Sequence, residues 1–336
     1  MQAIALCTSR LFAVDNYWGV RLHYGSQILS SLTVGICAYN EDNNIGELLS
    51  NILNEQRLSL GSEVIVVCSG CTDSTAEIVH EYAKKDSRVH TLIEKERKGK
   101  ASAVNLILSN AKGSSIIFVS ADTLPNSGCF SGLLSKLRHP NVGIVCGNPV
   151  PVNSSASLPG KLVRLLWSFH NHVFIELNDA GLARHASEIY CIRKGIVSGI
   201  PSEAVNDDAY IALETKKRGW LIKYEPRSRV SICGPRTVIE YLQQRRRVIY
   251  GHYQVRKLTG ESTQHLMHLL PVIPVRVIKL GLWLVRTQNI RILTVFLLAE
   301  LTANLAAIMD ILLKKTHSQW CTLASTKSVV SYVAKR

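Results

Sequence analysis

Acidic side chains stand at two places, one after a predicted buried strand and one before a predicted helix. Asp122 comes directly after the apolar run 116–119, which predicts a central parallel strand buried on both faces. Ligands of an open α/β sheet bind beyond the carboxyl ends of its strands, so Asp122 is placed to hold a divalent cation. Asp207 and Asp208, two adjacent acids, precede a predicted helix, and carboxylates are among the side chains that act in proton transfer. A turn aspartate and a helix cap are the alternative interpretations.

Basic side chains gather at the start of another predicted helix. Arg97, Lys98 and Lys100 surround Gly99 and lead into the helical pattern 101–110. Cations and backbone N–H groups at a helix N-terminus form an anion site suited to a diphosphate. The alternative interpretation is a solvated charged loop.

Alternating strands and helices must position these groups. Strands are predicted at 32–38, 63–67, 89–93 and 115–119, with helices at 45–56, 76–85 and 101–110 between them. Three successive strand–helix units predict an α/β fold with a parallel sheet, right-handed crossovers and helices on both faces. The later alternation is irregular: we predict strands at 142–150, 188–192, 220–224 and 228–233, and helices at 158–177, 209–218 and 238–257.

Composition restricts the class of protein. The 336 residues suffice for one enlarged α/β domain with an appendage, and 46% hydrophobic residues allow a sizeable core. A net charge of +14 favours an anionic partner, which is a phosphorylated substrate, an acidic membrane surface or nucleic acid; solubility alone is the alternative. Nine widely scattered cysteines predict reduced thiols in an intracellular protein, and the first 25 residues do not predict a signal peptide.

Two C-terminal segments have membrane character. Segment 265–285 is apolar but interrupted by prolines and cations, which predicts an amphipathic helix in the membrane interface. Segment 290–313 is long enough to span a bilayer, with Glu300, Asn304 and Asp310 as its strongly polar residues. A helix packed into a protein core with Glu300 paired is the alternative. Lys314 and Lys315 would favour the cytoplasmic side.

Five motifs occur in the order that family 2 glycosyltransferases with a GT-A fold show. The chain from about residue 32 to 253 therefore resembles that family, especially the membrane-associated polysaccharide synthases that make cellulose, chitin, hyaluronan and poly-N-acetylglucosamine. The motifs are Ala38-Tyr39-Asn40-Glu41, the loop 69–75 with Asp73, the basic segment 97–105, Ser120-Ala121-Asp122 and Asn206-Asp207-Asp208. A sixth, Gln244-Arg245-Arg246-Arg247-Val248, resembles the signature near the membrane interface of the synthases.

The resemblance implies a role for each matching residue. Asp208 would be the catalytic base with Asp207 as its acidic neighbour, and Asp122 would bind Mg²⁺ or Mn²⁺. The residues implied in binding the nucleotide-sugar are Ala38, Tyr39, Asn40, Glu41, Asp73, Arg97, Lys100, Ala121, Gln244 and Arg247. Two positions depart from the family pattern: Ser120 replaces an acid near the metal, and Val248 replaces a tryptophan, which weakens the expectation of processive polymer synthesis.

The implied activity is inverting transfer of a sugar from a nucleotide-diphosphate donor, for which we expect a UDP-sugar, to a hydroxyl of a polysaccharide or lipid-linked acceptor. Single-sugar transfer to a polyprenyl phosphate and a non-catalytic nucleotide-sugar-binding relative are the alternatives. We expect an N-terminal extension (1–30), a GT-A domain (31–260), membrane-associated helices (261–316) and a tail (317–336). The expected partners are the donor, the acceptor and membrane lipids but no nucleic acid, and the expected location is the cytoplasmic face of the cell membrane.

Overall fold

The computed structural model describes residues 31–263, 273–315, 323–327 and 329–330. The predicted N-terminal extension lies outside the described residues, as do residues 264–272 and most of the predicted tail.

One mixed sheet forms the centre of the fold. Its eight strands lie in the spatial order β3-β2-β1-β4-β7-β6-β8-β5. Strands β3, β2, β1 and β4 are mutually parallel, whereas β7 is antiparallel to both its neighbours, β4 and β6. The strands are β1 (Leu32–Ala38), β2 (Glu63–Ser69), β3 (Val89–Glu94), β4 (Ser115–Ser120), β5 (Thr123–Pro125), β6 (Val142–Pro151), β7 (Ile189–Arg193) and β8 (Leu221–Ile232).

Helices cover both faces of this sheet, which confirms the predicted α/β architecture. They are α1 (Ile45–Ser50), which continues as a π-helical turn over Asn51–Glu55, α2 (Thr75–Lys85), α3 (Lys100–Asn110), α4 (Cys129–Leu137), α5 (Leu158–Asp179), α6 (Asp207–Lys217) and α7 (Val238–Thr259). Leu48, Val79 and Phe130 pack on one face of the sheet, and Ile107 and Ile211 pack on the other. Because both faces are covered, Ile116 and Ile117 of β4 are each fully buried, a burial that contributes about 1.5–3 kcal/mol per side chain.

The irregular half of the sheet differs from the sequence prediction. The segments 220–224 and 228–233 belong to one long strand, β8, which runs through Pro226. The partner strand β6 shifts register between Cys146 and Asn148, so no ladder donor is needed at the proline. Pro125 lies in the short edge strand β5 that pairs with β8, and an edge strand is a position where a sheet tolerates proline. Helix α4 is a further element that the sequence prediction lacks.

Two C-terminal helices, α8 (Pro274–Thr287) and α9 (Ile290–Leu312), follow the sheet domain. Among the described residues, α9 is the helix long and apolar enough to cross a membrane. One side of α9 packs against α7, where Glu300 bonds to Arg245 and Asp310 to Arg246. The other side exposes large apolar residues: Leu297, Leu298, Leu301, Leu305 and Ile308.

Candidate active site

A cavity of about 610 Å³ opens at the carboxyl ends of β1, β2 and β4. It brings together residues that are far apart in the sequence, because the parallel strands all end at this edge. Asp122 and Asp208 both line it, so the two carboxylates face one space. The predicted site residues that line the cavity are Ala38, Tyr39, Glu41, Arg97, Lys100, Ala121, Asp122, Asp207, Asp208, Gln244 and Arg247.

The other two predicted residues, Asn40 and Asp73, fasten the loops beneath the cavity. Asn40 accepts a hydrogen bond from the backbone N–H of Thr72 at 2.8 Å. Asp73 accepts bonds from the backbone N–H and hydroxyl of Thr75 and from the N–H of Asp42. Although burial opposes it, these bonds hold the pKa of Asp73 below its ordinary value. The two residues therefore tie the loop after β1 to the loop after β2.

A glycine allows the basic loop to reach the cavity. Gly70, at φ +63°, lies so close to Arg97 that a Cβ atom would stand 2.5 Å from the backbone nitrogen of Arg97. A larger residue would push the loop away, whatever its own strain in this backbone conformation. The guanidinium of Arg97 lies 3.9 Å from the ring centroid of Tyr39, within range of a cation–π interaction.

Lys100 and the acid pair form the charged centre of the cavity. The ammonium of Lys100 lies 3.1 Å from a carboxylate oxygen of Asp207, in the first turn of α6. Although burial opposes it, the charges of Asp207, Glu188 and Asp208 raise the pKa of Lys100 above its ordinary value. The cation at the start of α3 is thus held in its charged form.

Asp208 has the electrostatic environment of a base. Burial, followed by repulsion from Asp207, raises its pKa to about 8. Its carboxylate lies 3.6 Å from Nε2 of His185, whose own pKa is lowered to about 4 by burial. His185 is therefore neutral at pH 7, and the proton affinity of Asp208 is high for a carboxylate.

The loop that carries the acid pair is fixed against α7. Asn206 donates a hydrogen bond to the carbonyl of Val248 at 2.9 Å. A Cβ atom on Gly251 would stand only 2.3 Å from the amide oxygen of Asn206, so this approach requires glycine. The contact between Asn206 and α7 sets the position of Asp207 and Asp208, which follow it directly.

Arg247 reaches the cavity from α7, whereas Arg245 and Arg246, which precede it, are paired with acids of α9. Burial lowers the pKa of Arg247 to about 9, against the opposing charges of Glu188, Asp122 and Asp207. Because the guanidinium is already buried, contact with an anionic ligand group adds little to the desolvation of Arg247 itself.

Glu188, which the sequence motifs do not include, lies beside Ser120, the position where the family pattern has an acid. It precedes β7, and its carboxylate accepts a hydrogen bond from the Ser120 hydroxyl at 2.8 Å. Burial and the charges of Glu41 and Glu188 raise the pKa of Asp122 to about 7, with Lys100 opposing them. Antiparallel pairing of β7 with β4 brings Glu188 here, a contact that no local pattern could have predicted.

Lys327 is a second residue that sequence patterns miss. Its ammonium donates to the carbonyls of Tyr39 and Asn40 and lies 3.0 Å from the carboxylate of Glu41. It lies 5.3 Å from the ring centroid of Tyr39. The C-terminal segment therefore contacts the loop after β1 at the mouth of the cavity.

These features are those of the GT-A class of nucleotide-diphospho-sugar transferases. In that class a basic loop, an aspartate at a strand end and an acid pair at a helix start come together at the carboxyl ends of the strands of a mixed sheet. The chain belongs to the family 2 glycosyltransferases. The family "Glycosyl transferase family 2" matches residues 33–195, and "Glycosyl transferase family group 2" matches residues 115–324.

Characterised relatives support this membership. The chain is 25% identical over 233 residues to a poly-beta-1,6-N-acetyl-D-glucosamine synthase of Staphylococcus aureus (strain MSSA476), covering 68% of this chain and 56% of the relative. The corresponding synthase of Staphylococcus epidermidis is 24% identical over 235 residues, with the same coverages of 68% and 56%. The chain thus spans about half the length of the curated relatives it matches.

A solved structure shares the fold. A mannosyltransferase from Pyrobaculum calidifontis, in complex with GDP-Man and Mn²⁺, superposes with a TM-score of 0.56 at 20% identity. The match covers 90% of this chain and 79% of that one. The predicted GT-A fold is thereby confirmed.

Proposed function

We propose that this chain is an inverting glycosyltransferase that moves a sugar from a nucleotide-diphosphate donor, a UDP-sugar in the first instance, to a hydroxyl of a saccharide or lipid-linked acceptor. The observation that carries the proposal is the shared cavity in which Asp208 faces Lys100, Arg97 and Arg247. A base and a set of diphosphate-binding cations in one cavity are what a single displacement at a sugar carbon requires.

The reaction proceeds in one step. The acceptor hydroxyl oxygen attacks the anomeric carbon and forms the new glycosidic bond while the bond from that carbon to the diphosphate oxygen breaks. The bonding electron pair leaves with the nucleoside diphosphate, whose added negative charge Lys100 and Arg247 stabilise. The hydroxyl proton goes to Asp208, and attack from the face opposite the leaving group inverts the anomeric configuration.

The carboxylates near Asp122 suit a divalent cation that would also bind the diphosphate of the nucleotide-sugar. The described residues contain no group of three or more His, Cys, Asp and Glu side chains that could hold a metal. Mg²⁺, however, is commonly bound by one or two carboxylates together with substrate phosphates. Asp122, with Glu188 beside it in place of the acid missing at Ser120, would hold such an ion. A bound cation would supply further charge stabilisation for the leaving diphosphate.

Membrane association is part of the proposal. Two ion pairs fix α9 alongside the basic helix α7, a position that leaves its opposite, apolar side free to enter a lipid surface. The helix α8 likewise exposes Val275, Ile278 and Val285. We infer that α8 and α9 both lie in the membrane interface, and that α9 does not cross the bilayer by itself. The GT-A domain (31–260) would then lie on the cytoplasmic face.

A panel of labelled sugar nucleotides tests the proposal. Membranes that contain the chain are incubated with UDP-linked and GDP-linked sugars, with and without Mn²⁺, and transferred label is separated from free sugar. We expect transfer from one class of donor and a substantial loss of it when EDTA removes the metal. If all label stayed in the free donor for every sugar nucleotide, the proposed transferase activity would be rejected, and the chain would be a nucleotide-sugar-binding protein instead.

The pKa of Asp208 predicts the pH dependence of transfer. A base acts only when deprotonated, and its pKa of about 8 leaves most molecules protonated at pH 7. We expect kcat/KM to rise from about pH 6 through pH 8, where half of the base is deprotonated, and to approach its maximum only near about pH 9. Donor affinity measured at each pH serves as the control. A rate that declines over this interval would contradict the assignment of Asp208 as base.

A further inference from the structure

A second cavity, of about 830 Å³, lies on the side of the molecule where α5, β6, β8 and the start of α9 meet. Four cations line it: Lys161 and Arg164 from α5, Arg229 from β8 and Arg291 from α9. We call this the basic groove.

Within the described residues no carboxylate neutralises the basic groove, although Arg164 donates a hydrogen bond to the backbone carbonyl of Asn153 at 2.7 Å. Its lining contains no acidic side chain, and none of its four cations forms a salt bridge with a carboxylate of the described residues. By contrast, Arg245 and Arg246 of the neighbouring α7 are each paired with an acid of α9. Four cations around one concave surface repel each other, and a bound anion would relieve that repulsion.

One residue connects the basic groove to the active-site cavity. Trp167 lines both. The ring of His170 lies 5.1 Å from the ring of Trp167, centroid to centroid, and the ring of His185 lies 6.1 Å from that of His170. His185 is the neighbour of Asp208, at 3.6 Å. Trp167 therefore borders both spaces, and the groove adjoins the active-site cavity at this side chain.

The other end of the basic groove faces the proposed membrane surface. Gln288 and Asn289, which join α8 to α9, are part of its lining. The apolar residues on either side of this junction are exposed, Val285 by 64% and Ile290 by 67%. An anion that enters here can remain attached to an apolar chain in the bilayer.

We propose that the basic groove binds the phosphate or diphosphate headgroup of a lipid-linked saccharide acceptor, whose sugar extends past Trp167 to Asp208. The inference rests on the proposed function and narrows the acceptor to an anionic lipid. The cations hold the headgroup through charge-assisted hydrogen bonds, and the indole provides an apolar face on which a sugar ring packs.

Binding of farnesyl diphosphate tests this proposal without any turnover. Calorimetry on the full chain in detergent uses saturating UDP, so that the active-site cavity cannot take up the diphosphate. The variant is Lys161→Glu/Arg229→Glu, which changes two exposed side chains. We expect its affinity for farnesyl diphosphate to be at least about tenfold weaker, since two charge-assisted contacts are lost. Arg227→Glu reverses one charge at an exposed position on β8 outside the groove; this control should bind as the parent does.

Two further probes separate the sources of binding. Farnesol should bind at least about tenfold more weakly than farnesyl diphosphate because it lacks the anion. Inorganic diphosphate should also bind more weakly because it lacks the lipid chain. Equal affinities of the double variant and the parent, or an equal affinity for either probe, would overturn the proposal. UDP that fails to bind in the initial titration would instead count against the donor site and thus against the proposed function.

Discussion

Asp208→Asn should reduce sugar transfer by about a hundredfold to ten-thousandfold and leave donor affinity nearly unchanged. The amide keeps the shape of the side chain but cannot accept the proton of the attacking hydroxyl. Asp208 carries no salt bridge to Lys100, whose partner is Asp207, so the cation that we propose to bind the diphosphate stays in place. The measurement pairs initial transfer rates with calorimetric binding of the nucleotide.

Asp207→Asn provides the contrast in the same turn of α6. It removes the partner of Lys100 and the charge that raises the pKa of Asp208. We expect weaker donor binding together with a pH profile displaced to lower pH. If Asp208→Asn lost donor affinity as severely as transfer, Asp208 would belong to the donor-binding set, and the base would have to be sought elsewhere.

The acid pair also shows how far sequence reasoning reaches. Strand and helix patterns place Asp122 at a strand end and Asp208 at a helix start, and topology rules bring such ends to one edge of the sheet. The buried apolar runs that form β1, β2 and β4 produce a strong signal because each strand is covered on both faces. This part of the fold follows from local patterns combined with topology rules.

The residues that sequence reasoning misses are brought in by tertiary contacts. Glu188 arrives through antiparallel pairing of β7 with β4, and Lys327 comes from a segment almost three hundred positions after Tyr39. Neither stands in a motif. The continuous strand β8 is hidden for a different reason: Pro226 indicates a break, and only the register shift in β6 makes the proline acceptable.

Helix α4 is the exception, because a signal for it exists in the sequence. Phe130, Leu133 and Leu137 are spaced by three and four positions and are all buried against the sheet. Gly128, at φ +74°, separates this helix from the edge strand β5. The spacing is obscured because only residues 126–128 separate this helix from β5.

Lys100→Met should lower kcat/KM by about a hundredfold to a thousandfold, the effect of removing one group that stabilises charge developing in the transition state. The substitution keeps the length of the side chain and its packing at the start of α3 but removes the ammonium 3.1 Å from Asp207. Because Asp207 is 5% exposed, its carboxylate is left without this partner in a buried position. We therefore also expect a loss of about 1–3 kcal/mol in the free energy of unfolding.

The two effects can be separated with a control in the same loop. Lys98→Met removes an exposed cation that does not line the active-site cavity, so neither activity nor stability should change. Adding Asp207→Asn to Lys100→Met should restore most of the lost stability, since the unpaired charge disappears, but none of the activity. Transfer rates at saturating and limiting donor, with thermal denaturation of each variant, measure both. Wild-type kcat/KM in Lys100→Met would show that the diphosphate is not stabilised at the start of α3, and the cation set would reduce to Arg97 and Arg247.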